Sequence, residues 1–160
     1  MQCRREAAAS VTEELVKHDA VRKIEFIGSA SVGRQIAGLA AKYLKPVVLE
    51  LGGKCPAIVL EDADLEEAAR QVALGAVLHH GQICFSTERV IVFESVAREF
   101  QDLLVKQFEE LGNKSVAGSA VSEEIAQHAE DVLVDARDKC DAILVGAPSS
   151  SPSTLSLIHI

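Results

Sequence analysis

Three stretches of this 160-residue chain carry residue types able to do chemistry, and the most reactive is a thiol. Cys84 sits in His79-His80-Gly81-Gln82-Ile83-Cys84-Phe85-Ser86-Thr87, a glycine-containing turn flanked by polar residues. The nucleophile would be its thiolate, which needs local amides or a positive field to form. A buried, inert cysteine is the plain alternative for any single thiol. The adjacent His79 and His80 invite a Cys–His dyad or a metal site. Neighbours in sequence point in different directions on a helix, however, which argues against shared ligation. Cys3, Cys55, Cys84 and Cys140 are too widely spaced for a CxxC pair or a zinc pattern. No metal site is therefore expected, and the thiols are expected to be free.

The second stretch is Leu49-Glu50-Leu51-Gly52-Gly53-Lys54, where Glu50 interrupts the apolar run Val47 to Leu51. A desolvated carboxylate there would be pushed toward the range of a general base. A strand-end Glu turned to water, or paired with Lys54, explains the same residue without chemistry. The third is Phe26-Ile27-Gly28-Ser29-Ala30-Ser31-Val32-Gly33. A strand that ends in Gly and leads directly into a helix aims free N–H groups and the helix dipole at an anion. Gly28 allows the sharp turn, Ser29 can hydrogen-bond, and Gly33 permits close helix packing. The spacing is not GxGxxG, and an ordinary strand-to-helix turn fits equally well.

The elements that must position these residues alternate between helix and strand, so the fold class is α/β. Helices are expected over Val11 to His18, Val32 to Leu44 (ended by Pro46), from Asp62 or Asp64 to about Leu78, Ser95 to Leu111, and Ser122 to Asp138. Strands are expected over Lys23 to Ile27, Val47 to Leu51 (compact and buried), Ala57 to Leu60, Arg89 to Phe93 and Ala142 to Val145. Gly112 to Gly118 reads as a polar loop, and Pro148 to Thr154, rich in Ser and Pro, as disordered. The closing LSLIHI has no patterned relation to what precedes it. It can be encoded by CTGTCTCTTATACACATC, a transposon end used in sequencing libraries, and is expected to be non-native.

Composition bounds the rest. A formal charge of -8 with no basic patch argues against a nucleic-acid partner or an anionic membrane surface. No apolar run approaches the about 18 residues needed to span a bilayer, and Met1 to Ala9 lack a signal-type apolar region, so a cytoplasmic protein is expected.

Taken together and in order, FIGSASVG, LELGGK and GQIC resemble the aldehyde dehydrogenase superfamily, as does the separation of Glu50 from Cys84. The resemblance runs from about Ser10 to Gly146 and includes KCPAIVLEDADLEEA and STERVIV. GQICFSTERVIV is similar to members that oxidise aromatic aldehydes of the benzaldehyde, vanillin or salicylaldehyde type. It implies an α/β fragment of that fold, comprising the end of the Rossmann-like cofactor domain and the start of the catalytic domain. Residues 10–50 would belong to the former and 51–147 to the latter, with 1–9 unassigned and 148–160 a tail.

The resemblance also implies that Cys84 attacks the aldehyde and that Glu50 activates the hydrolytic water. Gly28, Ser29 and Gly33 would sit at the pyrophosphate of NAD or NADP, and Leu51 and Gly52 beside its nicotinamide. Lys54 would be structural, and His79 and His80 helix-end residues. Family members are about three times this length and typically homo-oligomers. This polypeptide alone is therefore expected to bind cofactor poorly and to turn over little, or to be a non-catalytic remnant. Ile27 replaces a more usual Thr, Cys140 a Gly, and the text after Leu111 is shortened. A thiol-redox protein and a plain nucleotide-binding module explain fewer of these residues.

Overall fold

A computed structural model describes residues 8–113, 119–139, 144–145 and 158–159. Cys3, Cys140 and residues 148–157 lie outside them. The chain divides into two compact units, Met1–Gly53 and Lys54–Ile160.

The first unit contains α1 (Ala8–Lys17), β1 (Ile24–Gly28), α2 (Ala30–Lys42) and β2 (Val47–Leu51). β1 and β2 pair in parallel, with Ile24 opposite Val47 and Ile27 opposite Glu50, so α2 serves as the crossover that parallel strands require. Strand alternation puts Val47, Leu49 and Leu51 on the more buried face, while Val48 and Glu50 are exposed. The buried strand expected from composition is thus buried on one face only. Buried Ile36 and Ala40 lie on α2 and buried Val16 on α1. Lys42 joins the two helices through Glu13 at 3.1 Å, and this carboxylate raises the Lys42 pKa.

Pro46 does not end α2. The helix stops at Lys42, where Leu44 turns left-handed (φ 52). Leu44 N–H then donates to Ala41 (3.1 Å) and Lys45 N–H to Ala40 (2.9 Å). These two bonds satisfy carbonyls that the helix end would otherwise orphan, with leucine in the place usually taken by glycine. Pro46 lies beyond that cap, and its carbonyl accepts from Ile24 N–H as β1 begins (3.0 Å).

The second unit repeats the logic. β3 (Cys55–Val59) and β4 (Thr87–Val92) pair in parallel across α3 (Leu65–Val77) and a short 3-10 turn, Leu78–Gly81. Asp64 caps α3, accepting from Glu67 N–H at 3.1 Å. In the same first turn, hydrogen bonds from Arg70 and Gln71 hold the Glu67 carboxyl down at about 2. This surface pairing therefore persists as pH falls through the ordinary carboxylate range and is lost only near that value. α4 (Glu94–Asn113) packs on α3, and α5 (Glu123–Lys139) follows. α4 reaches one residue past the start of the expected polar loop at Gly112, and 114–118 lie outside the described residues. β5 (Leu144–Val145) pairs antiparallel with β6 (Ile158–His159), so two residues of the LSLIHI tail form a strand.

The core of this unit is Val59, Ala69, Val72, Ala73, Phe100, Leu104 and Phe108. Alanines on α3 let the aromatic side chains of α4 approach closely, and Phe100 is 2% exposed. Phe100→Ala should destabilise the unit by about 3–5 kcal/mol, from lost transfer energy plus the cavity left behind. Urea unfolding followed by circular dichroism would measure it, and a loss below about 1 kcal/mol would show that Phe100 is not central.

Candidate active site

The residues singled out by sequence fall in both units. In the first, β1 runs into α2 through Ser29, whose extended backbone (φ -71, ψ 151) makes it the N-cap. Its Oγ accepts from Val32 N–H at 3.4 Å and lies 3.0 Å from Ser31 Oγ, while its carbonyl accepts from Gly33 N–H at 2.8 Å. Among the described residues, no acceptor takes the N–H of Ala30 or Ser31. The first turn of α2 carries no acidic side chain either. Two open amides at the positive end of a 13-residue helix leave a locally positive surface there despite the net negative charge of the chain.

The glycines here differ in what they permit. A Cβ on Gly28 would stand 2.6 Å from Phe26 Cζ, and one on Gly33 would stand 2.7 Å from Leu51 Cδ2. Gly33 is buried, so its missing side chain is what brings α2 down onto the end of β2. Gly52 has open space around it, so no local packing demands glycine there. Glu50 lies on the exposed face of β2. Of the two placements left open for this residue, it takes the one turned to water, because period-two alternation turns it away from the α2 side.

In the second unit the chain leaves α3 through three consecutive left-handed residues, His79 (φ 50), His80 (φ 62) and Gly81 (φ 69). The histidines are not regular helix-end residues but the body of a sharp turn. Only Gly81 adopts such a backbone without a Cβ penalty. The cysteine loop follows: Ser86 N–H donates to Ile83 O at 3.0 Å, closing a turn with Cys84 and Phe85 at its tip. Both tip residues are exposed, Phe85 by 71% despite its aromatic ring. Cys84 is therefore not the inert buried thiol. Its backbone N–H has no acceptor among the described residues.

Several contacts fasten this loop, and sequence reasoning did not foresee them. Cys55 opens β3, and its half-buried thiol donates to the Cys84 carbonyl at 3.1 Å. Ser86 is buried at 2% exposure, and its Oγ has no partner. The Gln82 side chain reaches His79, Ser119 and Val121. Lys54 pairs with Glu88, and its carbonyl accepts from Arg89 Nε at 2.9 Å, so it braces β3 against β4. Ser119 and Val121 lie 37 and 39 residues from Gln82, which leaves no local signal that could have found these two bonds. No cluster among the described residues could hold a metal, and none of their helices is long and apolar enough to cross a membrane. A cavity of ≈ 470 Å³ lies along β4 and α4, lined mainly by core residues such as Val72, Phe100 and Leu104.

The profile of the Aldehyde dehydrogenase family matches residues 5–156. Vanillin dehydrogenase of Pseudomonas fluorescens is 42% identical over 145 residues, which cover 87% of this chain and 30% of that protein. The crystal structure of a salicylaldehyde dehydrogenase from Pseudomonas putida G7, complexed with salicylaldehyde, superposes with a TM-score of 0.81 at 35% identity. It covers 95% of this chain and 32% of that one. An NAD-dependent benzaldehyde dehydrogenase from Corynebacterium glutamicum gives 0.79 at 31% identity, covering 93% of this chain and 34% of its own. The chain thus spans about 30% of the length of curated relatives such as the vanillin dehydrogenase.

Proposed function

The chain belongs to the aldehyde dehydrogenase family, and on that premise we propose that it carries the nucleophile and the base for oxidation of an aromatic aldehyde to its acid. The observation that carries this reading is Cys84, an exposed thiol at the tip of a closed turn, with its own N–H free. Its thiolate adds to the aldehyde carbon, and the carbonyl π pair moves to oxygen. The Cys84 N–H is the donor assigned to that oxygen, where developing charge is best met by a preorganised dipole.

NAD or NADP, when bound, would supply the hydride acceptor through which this adduct could become a thioester on Cys84. The open amides of Ala30 and Ser31, with Ser29 and the close turn at Gly28 and Gly33, suit a pyrophosphate at the head of α2. Leu51 and Gly52 are assigned to the nicotinamide side. Glu50 removes a proton from water as that water attacks the thioester, which releases the acid and restores the thiol. The exposed Phe85 ring, next in sequence to the nucleophile, favours an aromatic substrate by stacking.

A single-turnover experiment tests the reading. The chain is mixed with benzaldehyde and either NAD or NADP, quenched in acid and digested. Because the chain spans only about 30% of its relative's length and is expected to bind cofactor poorly, the expected result is a small fraction of the Cys84 peptide acylated, matched mole for mole by reduced nicotinamide. Reduced cofactor formed without acylation of Cys84 would overturn it, and neither product with either cofactor would favour the non-catalytic remnant instead.

A further inference from the structure

Gln82 takes no part in the mechanism above, yet its side chain spends every polar atom on the backbone around the cysteine loop. Nε2 donates to the carbonyls of His79 (2.9 Å) and Ser119 (3.1 Å), and Oε1 accepts from Val121 N–H (2.8 Å). The last two contacts flank Ala120 as a residue of a parallel strand would, donating to the carbonyl before it and accepting from the amide after it. The Gln82 main-chain N–H also donates to His79 O at 3.2 Å.

Two physical facts make such a device necessary. His79 and His80 hold left-handed backbone angles, each costing about 1 kcal/mol or more and persisting only where surrounding contacts over-determine them. The loop tip also has little apolar anchorage, since Cys84 and Phe85 are both exposed. Polar contacts must therefore hold its place.

We infer that Gln82 is the positioning residue of the nucleophile loop, clamping the left-handed turn His79–Gly81 to the segment Ser119–Val121 that leads into α5. The position at which the Cys84 backbone is presented is thereby tied to the head of α5, far away in sequence. This inference rests on the assignment of Cys84 as nucleophile. The clamp bonds are exposed, so their loss should leave the Phe100 core folded.

The test compares the parent chain with Gln82→Leu, which loses all three side-chain bonds, and Gln82→Glu, which keeps only an acceptor for Val121 N–H. Hydrogen exchange at Val121 should quicken by about tenfold in Gln82→Leu and stay within about threefold of the parent in Gln82→Glu. Cys84 is then alkylated with iodoacetamide in the presence of increasing benzaldehyde, without cofactor. Addition forms an S–C bond and moves the thiol proton to the carbonyl oxygen, so aldehyde protects Cys84. The benzaldehyde concentration for half protection should rise by about fivefold in Gln82→Leu, while alkylation without aldehyde changes by less than about twofold. A merely structural residue would move both rates together or neither. Unchanged exchange at Val121, or unchanged half protection, in Gln82→Leu overturns the inference. If the parent shows no protection at all, the nucleophile assignment fails instead, while exchange at Val121 still decides whether the clamp exists.

Discussion

Replacing Glu50 with glutamine should leave Cys84 acylated. The two side chains are nearly isosteric, so β2, its register with β1 and its exposed face should all survive the change. What is lost is the carboxylate that can take a proton from water, and general-base assistance of this kind contributes about 10²–10⁴-fold. The experiment need not pass through hydride transfer. An activated ester such as p-nitrophenyl acetate acylates a thiolate directly, forming the S–C bond as p-nitrophenolate leaves. The acetyl group on the Cys84 peptide should decay about 100-fold more slowly, or slower still, in Glu50→Gln than in the parent. Equal decay rates would remove Glu50 from the mechanism and return it to the role of a solvated strand residue.

Cys84→Ala should abolish acylation of that peptide by the same ester. Because the thiol is the covalent partner and not an assisting group, no other residue substitutes for it, and the rate should fall by about three orders of magnitude or more. Cys55 provides the internal control. It is half-buried and its thiol is engaged with the Cys84 carbonyl, so Cys55→Ser should remain acylated at Cys84. Label that persisted at full rate on Cys55 in Cys84→Ala would show that the wrong thiol had been assigned.

Much of the fold was legible in the residues. Alternating patterns placed the helices and strands, the cap at one of two aspartates was foreseeable, and Val47 to Leu51 has the bounds expected of it. The residues around Cys84, Glu50 and Ser29 were also legible, because their order along the chain carries the family signature. Errors arose where a local rule met a competing contact. Proline was expected to stop α2, but Leu44 accepts a left-handed backbone because two hydrogen bonds to Ala40 and Ala41 repay it. For Glu50 two readings stood open, a desolvated base and a strand residue turned to water, and alternation along β2 gives it the exposed face.

The sequence by itself determined the α/β class and the membership of the chain in its family, since each depends on residue types and their order, and it singled out Cys84 as the proposed nucleophile. Tertiary structure alone decided how that thiol is held. The exposure of Cys84, the left-handed turn before it, the bond from Cys55 and the reach of Gln82 to Ser119 and Val121 join residues remote in sequence. No local propensity encodes such contacts; they exist only once β3, β4 and the approach to α5 have been folded into one unit.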